Sequence, residues 1–355
     1  VAKNKIRSSK ATTYRLLGAV ILSFLLQPVA HSQSDVPIIS GGAGFVSTTT
    51  GGSRLMQPIL APVFAAPVGN RWLFESRVDL RELIFQPARS GPYQHQFFDT
   101  IEYAQVDYNA APWLTIVAGR FLTPFNMYNE RFTAVWIRNL QDAPIIFPVG
   151  TRTNGYSDGF MARGVLLSRK EYELYYTAYF STFTTINKLE SGRSAGGRAA
   201  IFFPSTRLEL GVSYQRLLQD QRTNSVGAYL SWQPGSVPLA LRGEYAHSPL
   251  GQGYWIEGAY RFSRFRGPDS VLGRLQAVGR AQQFVHGTPD LTGALPSTNV
   301  QRAEFGWNYY LPHEVRLNAS YGREFSPAGD RNVWNFAVTY RFLFPMFPGR
   351  SQAQP

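Results

Sequence analysis

The 355-residue chain has no cysteine, so no disulfide framework can hold it and its stability must come from the fold itself. Charged residues are sparse, at 16%. Mean hydropathy is near neutral, at −0.19, and no long apolar run follows the first thirty residues. A helical membrane protein needs repeated apolar spans of about 20 residues, and this chain lacks them. Lysine is nearly absent beyond residue 32, where only Lys170 and Lys188 accompany 28 arginines. A nucleic-acid face usually mixes Lys and Arg in one cluster. Here the arginines are spread singly, a usage that suits enclosed, paired charges and planar recognition of carboxylate or phosphate.

What is present begins with an export signal. Lys3, Lys5, Arg7, Lys10 and Arg15 make a basic start, and Leu16 to Leu26 an apolar stretch too short to span a bilayer. Ala30-His31-Ser32 places small residues at −3 and −1, so cleavage is expected before Gln33. The alternative is an uncleaved anchor. Losing residues 1–32 lowers the formal charge from +12 to +7. The expected organisation is a leader at 1–32, a barrel at 33–344 and a short tail at 345–355.

From Asp35 onward the pattern alternates with period two, which sends successive side chains to opposite faces of a sheet. In 171–181, Tyr172, Leu174, Tyr176, Ala178 and Phe180 oppose Glu171, Glu173, Tyr175, Thr177, Tyr179 and Ser181. The spacing predicts sixteen strands, at 39–49, 54–66, 71–86, 97–109, 112–122, 154–167, 171–182, 194–203, 206–217, 222–233, 237–248, 252–264, 271–285, 299–311, 314–325 and 331–343. Their length suits tilted membrane strands, and aromatics such as Trp72, Trp113, Trp232 and Trp307 near their ends suit interfacial girdles. The fold class is therefore all-β: a 16-stranded antiparallel transmembrane β-barrel. Connections alternate between short turns and longer loops, the arrangement of periplasmic and outer ends. The segment 54–66 is the least regular strand, because Pro58 and Pro62 cannot donate to a ladder.

With the apolar face given to lipid, the other face is charged and rich in arginine. Glu102 then falls on the wrong side, and 112–122 is apolar on both faces. A barrel this wide leaves an aqueous channel, and arginine rings favour anions in such pores. Many of these charges are expected to pair across strands, Asp79 with Arg77 or Arg81 and Glu304 with Arg302 among them. The candidate pore-lining, anion-binding residues are Arg120, Arg131, Arg138, Arg163, Arg242, Arg261, Arg274, Arg280, Arg302 and Arg316. No catalytic residue, cofactor or metal is expected. The third long connection, 123–153, would expose many apolar residues if it stayed outside, and long ordered loops carry function; the alternative is an external lid. The connection is expected to fold inward, packing Phe125, Trp136, Ile145 and Phe147 on the wall. Asn129, Glu130, Arg131, Arg138, Asp142 and Arg152 would then face the channel, with wall cations such as Arg242 or Arg280 across the gap. Arg120 is expected to pair with Glu130.

Gly119-Arg120-Phe121-Leu122-Thr123-Pro124-Phe125, followed by Tyr128-Asn129-Glu130-Arg131, resembles the segment at this place in the phosphate-selective porin family of the bacterial outer membrane. The resemblance implies a sixteen-stranded, commonly trimeric porin whose third loop narrows the pore, passing phosphate or other small anions. The family's best-known members line the channel with clustered Arg and Lys, and this chain has almost no Lys there. The expected partners are the lipid bilayer, small solutes and the outer-membrane assembly machinery. The last is read from the aromatic-ended strand Trp334 to Phe342, although the chain runs on past it to Pro355. No nucleic-acid partner is expected. The rival readings are a structural or adhesive barrel without an open pore, and an outer-membrane enzyme. For the enzyme, His95, His247, His286 and His313 lie near strand ends, and no Gly-x-Ser-x-Gly elbow or zinc-spaced pair occurs.

Overall fold

The computed structural model describes residues 36–346 apart from 89–90, 151–154, 183, 185–188, 190, 220–221 and 290–293. The expected leader and its cleavage position, Arg152, and the tail beyond Met346 lie outside the described residues. The strands are β1 (Ile38–Thr50), β2 (Ser53–Val68), β3 (Trp72–Gln86), β4 (Gln94–Ala111), β5 (Leu114–Leu122), β6 (Tyr156–Ser168), β7 (Glu173–Ser181) and β8 (Ser194–Phe203). They continue as β9 (Leu208–Leu217), β10 (Asn224–Trp232), β11 (Leu239–Ser248), β12 (Gly251–Arg261), β13 (Leu275–His286), β14 (Val300–Tyr310), β15 (Val315–Phe325) and β16 (Arg331–Pro345). Each strand pairs antiparallel with its sequence neighbours, and β1 closes on β16 from Ile38 opposite Pro345 to Thr50 opposite Val333. Every expected strand is present, with its ends moved by a few residues.

Alternation fixes what each face holds. On β9 and β10, Val212, Tyr214, Val226 and Leu230 are exposed, while Ser213, Gln215, Ser225 and Tyr229 are buried. Phe160 is 62% exposed and Trp334 58%, so the outward face is apolar around the wall. This inverts the pattern of a soluble sandwich and fits a barrel whose solvent is lipid. Closure also leaves no sheet edge unpaired.

Three irregularities have local causes. Pro58 and Pro62 lie an even number of residues apart, so both missing donors point to the same neighbour. The β2–β3 ladder skips 57–58 and 61–62, while the β1–β2 ladder runs through both prolines. Glu102 does not face lipid. The β3–β4 register shifts between Arg77 and Val78, and this bulge turns Glu102 to the Arg77 guanidinium, where the two form a buried ion pair. On β5, the inner residues Val117 and Phe121 are buried against Met161 and Tyr179, so an apolar inner patch has its own packing partners.

The connections sort by end. At the rim where β1 enters, 69–71, 112–113, 169–172, 204–207, 233–238 and 311–314 are short, and 262–274 is longer, with helix α3 (Ser263–Arg266) inside it. The opposite rim carries the long connections 87–93, 123–155, 182–193 and 287–299, with 51–52, 218–223, 249–250 and 326–330 short between them. The 123–155 connection contains helices α1 (Tyr128–Phe132) and α2 (Phe147–Gly150). By the length rule for such barrels this rim faces outward.

Candidate functional site

The long connection is tied at its neck. Asn129 Nδ2 donates to the carbonyls of Thr123 and Gly155, at 2.9 and 2.7 Å, so one amide holds both ends of the segment. The Thr123 and Ser157 hydroxyls meet at 2.8 Å. Beside them the β4–β5 ladder stops at Ala104 opposite Arg120. Arg120 Nε donates to the Ile101 carbonyl and Nη1 to both oxygens of Asp158. Arg120 therefore splices three strands. The expected Arg120–Glu130 pair does not form, because Glu130 meets Arg198 instead.

Beyond the neck the connection rests on the buried face of the wall. Glu244 on β11 accepts the amides of Met127 and Tyr128 on one oxygen, at 2.8 and 2.7 Å, and the Trp255 indole N–H on the other. That carboxylate satisfies amide donors at the start of α1. Trp136 lies against Gly42 of β1, where any Cβ would fall 2.3 Å from the ring. Ile146 packs in the same way on Gly253 of β12, its methyl 2.6 Å from where a Cβ would stand. Asn139 donates to Glu257, and its carbonyl accepts from Asn308 and Asn318. Asp142 pairs with Arg302 and accepts from Asn335, while Arg280 donates to its backbone carbonyl at 2.9 Å. Burial pushes the Asp142 carboxyl up, but the guanidiniums of Arg302 and Arg280 outweigh it and hold it below the usual range. Apolar packing accompanies these bonds: Phe125, Met127, Tyr128, Ile146 and Val149 cluster with Tyr229, Trp255 and Phe284 of the wall.

The ten candidate arginines fall into distinct settings. Arg242 lies 4.2 Å from the centre of the Phe132 ring, and Arg280 sits between Glu304 and the Asp142 carbonyl. Arg302 is held by Asp142 and Glu304, and Arg316 donates to the Val135 carbonyl. These four touch the connection directly, so Arg242 and Arg280 do not stand across a gap from it. Arg138 donates to carbonyls of its own segment, those of Phe132, Thr133 and Gln141. Arg261 donates to the Gly273 carbonyl and Arg274 lies 3.8 Å from Asp269, both at the short-turn rim.

Arg131 and Arg163 come together. With Arg198, Glu209, Tyr175 and Tyr229 they line a cavity of about 320 Å³ between α1 and the β6–β10 wall. Arg131 makes a two-pronged pair with Glu209, at 2.7 and 2.8 Å, and Arg163 reaches Asp107 at 2.6 Å. Arg163 and Arg198 stand in one row, on either side of Thr177. Arg198 is absent from the sequence-derived candidates because Gly196, Gly197, Ala199 and Ala200 around it show no alternation. Its distance of two residues from Gly196 and Ala200, on the strand facing β7, was the available signal. Among the described residues no group of His, Asp and Glu could hold a metal.

No protein-family model and no curated protein matches the chain. Solved structures do. An anion-selective porin from Comamonas acidovorans is 10% identical with a TM-score of 0.55, over 86% of this chain and 98% of that one. Salmonella typhi OmpF, solved with daunomycin, is 14% identical with a TM-score of 0.56, over 86% and 97%. The trimer form of the outer membrane protein OmpT from Vibrio cholerae is 11% identical with a TM-score of 0.53, over 87% and 100%. At these identities the likeness is one of fold: the chain is a sixteen-stranded antiparallel barrel resembling bacterial outer-membrane porins.

Proposed function

We propose that the chain is a porin, a water-filled channel for passive diffusion of small solutes that favours anions such as phosphate. The 123–155 connection lies in the bore and narrows it against the β6–β10 side. It is a channel and not an enzyme. The bonds and packing of that connection on the buried wall face support the constriction. The resemblance at Gly119–Arg131 supports a trimeric porin, and the aromatic-ended strand Trp334 to Phe342 supports delivery by the outer-membrane assembly machinery.

One observation carries the anion preference. The ion pairs at the cavity are layered, with the acid behind and the guanidinium in front. Arg131 and Arg163 each keep 38% of the side chain exposed, against 14% for Glu209 and 3% for Asp107. A passing solute therefore meets cations before their counter-charges, and a guanidinium fork suits carboxylate and phosphate oxygens. The test is the reversal potential of the purified protein in planar bilayers under a salt gradient. Anion preference that weakens as salt rises is the expected result. Cation preference refutes the reading, and the absence of conductance leaves the structural-barrel reading in its place.

A further inference from the structure

We infer that the barrel carries a second anion site, on its lipid-facing wall at the rim of the long connections, which holds a phosphate group of a membrane glycolipid. Three arginines converge there: Arg193 just before β8, Arg216 near the end of β9 and Arg222 just before β10. With Leu218 they line a cavity of about 320 Å³. All three are exposed. The outward direction of Arg216 follows from register. Phe180 stands opposite Ala195, and Ala195 opposite Arg216, so the Arg216 side chain shares the face of Phe180, which is 39% exposed. The Arg193 guanidinium lies 6.0 Å from the centre of the Phe180 ring.

Among the described residues none of the three makes an ion pair. Their surroundings make that unusual. On the same rim, Arg323 pairs with Asp330 and Arg331 with Glu324, although both arginines are about half exposed. Three guanidiniums so close together repel one another unless an anion joins them. The column beneath Arg216 says which anion. Tyr214, Val212 and Leu210 follow on the same face at 46%, 60% and 39% exposure. Each lies roughly 7 Å below the last along the strand. The Tyr214 hydroxyl donates to Asn224, its ring below and its polar tip above. Cations, then an aromatic with a polar tip, then aliphatic wall is the vertical profile of a headgroup, an interface and acyl chains. A phosphate borne on a lipid satisfies the whole column. A free phosphate satisfies only its top.

The experiment uses the full mature chain, folded in detergent, with three probes: deep-rough lipopolysaccharide, the same lipid after phosphatase treatment, and inorganic phosphate. The triple variant R193Q/R216Q/R222Q is the comparison. It should fold and conduct like the parent, because these side chains lie on the opposite face of the wall from the cavity of Arg131 and Arg163. The parent is expected to bind the phosphorylated lipid about a hundredfold more tightly than the variant, roughly fivefold for each guanidinium. Equal binding by parent and variant overturns the site. Equal binding of the phosphatase-treated lipid overturns phosphate recognition. Competition by inorganic phosphate at the concentration of the lipid overturns the lipid source.

Discussion

Replacing Arg131 by Glu tests whether the layered pairs set selectivity. Among the described residues the Arg131 guanidinium bonds to Glu209, so the change reverses one exposed charge and leaves two carboxylates where an ion pair stood. A monovalent anion passing ~5 Å from one charge changes in energy by about 0.8 kcal/mol at the dielectric of water. The swing from Arg to Glu counts twice, about 1.7 kcal/mol before screening. In 0.1 M salt, with a screening length near 10 Å, roughly 1 kcal/mol survives for the anion and an equal and opposite change for a cation, about a thirtyfold loss of anion over cation permeability. In 1 M salt, with a length near 3 Å, only about threefold survives. The assay is the reversal potential at both salt concentrations. Arg138→Glu is the control, since Arg138 donates to carbonyls of its own segment and its loss should disturb that segment's shape more than the ionic preference. A selectivity for R131E equal to the parent's, or one shifted equally at both salts, refutes the reasoning.

Three further outcomes follow from the same contacts. Deleting 132–147 should raise single-channel conductance while the barrel still assembles, because those residues belong to no strand ladder; unchanged conductance would show the segment lies outside the bore. Asp142→Asn should weaken docking by about 1–3 kcal/mol and make the open current noisier; a current as quiet as the parent's refutes the latch. Because the Asp142 carboxyl is held below its ordinary value, its contribution is complete above the unfolded value of about 4 and fades only as pH falls through the lower folded one. Noise in the parent should therefore stay constant from neutral pH to about 4 and rise below it, and a rise near pH 6 would assign the latch to another group.

The strands were legible because one physical rule, burial on one face and lipid on the other, is written at every second residue. Pro58 and Pro62 looked like a break but cost little, since both face the ladder with β3 and the ladder with β1 is intact. Glu102 could not be placed from the pattern. A bulge changes which face every later residue takes, and nothing in the run Asp99 to Tyr103 marks where the extra residue sits. The partner of Arg120 was misread for a related reason. Glu130 is near in sequence, but Asp158 is directly opposite on the neighbouring strand, and register outranks proximity along the chain. The seat of the long segment was half legible: glycines at 42 and 253 are natural places for Trp136 and Ile146, yet only the closed barrel brings β1 and β12 to the same segment.

The arginine excess thus serves two purposes that separate in space. On the β11 to β15 side, Arg242, Arg280, Arg302 and Arg316 touch the long segment, and their acids Glu257, Glu304 and Asp142 are covered with them. Enclosing charges is expensive, and replacing such a pair by apolar residues is often neutral or stabilising. Their value here is positional. Arg280, Arg302 and Arg316 each donate to a carbonyl or carboxylate of the segment at one place, and Arg242 lies over its Phe132 ring, so together they define where the segment can lie, which apolar packing alone would leave loose. On the β6 to β9 side, Arg131 and Arg163 keep open faces, and in the proposed function these faces act on what passes. Neutralising the first group should therefore change the noise and width of the channel with little change in ionic preference. Neutralising the second should change preference with little change in noise. A single arginine that altered both equally would show that the two groups are one.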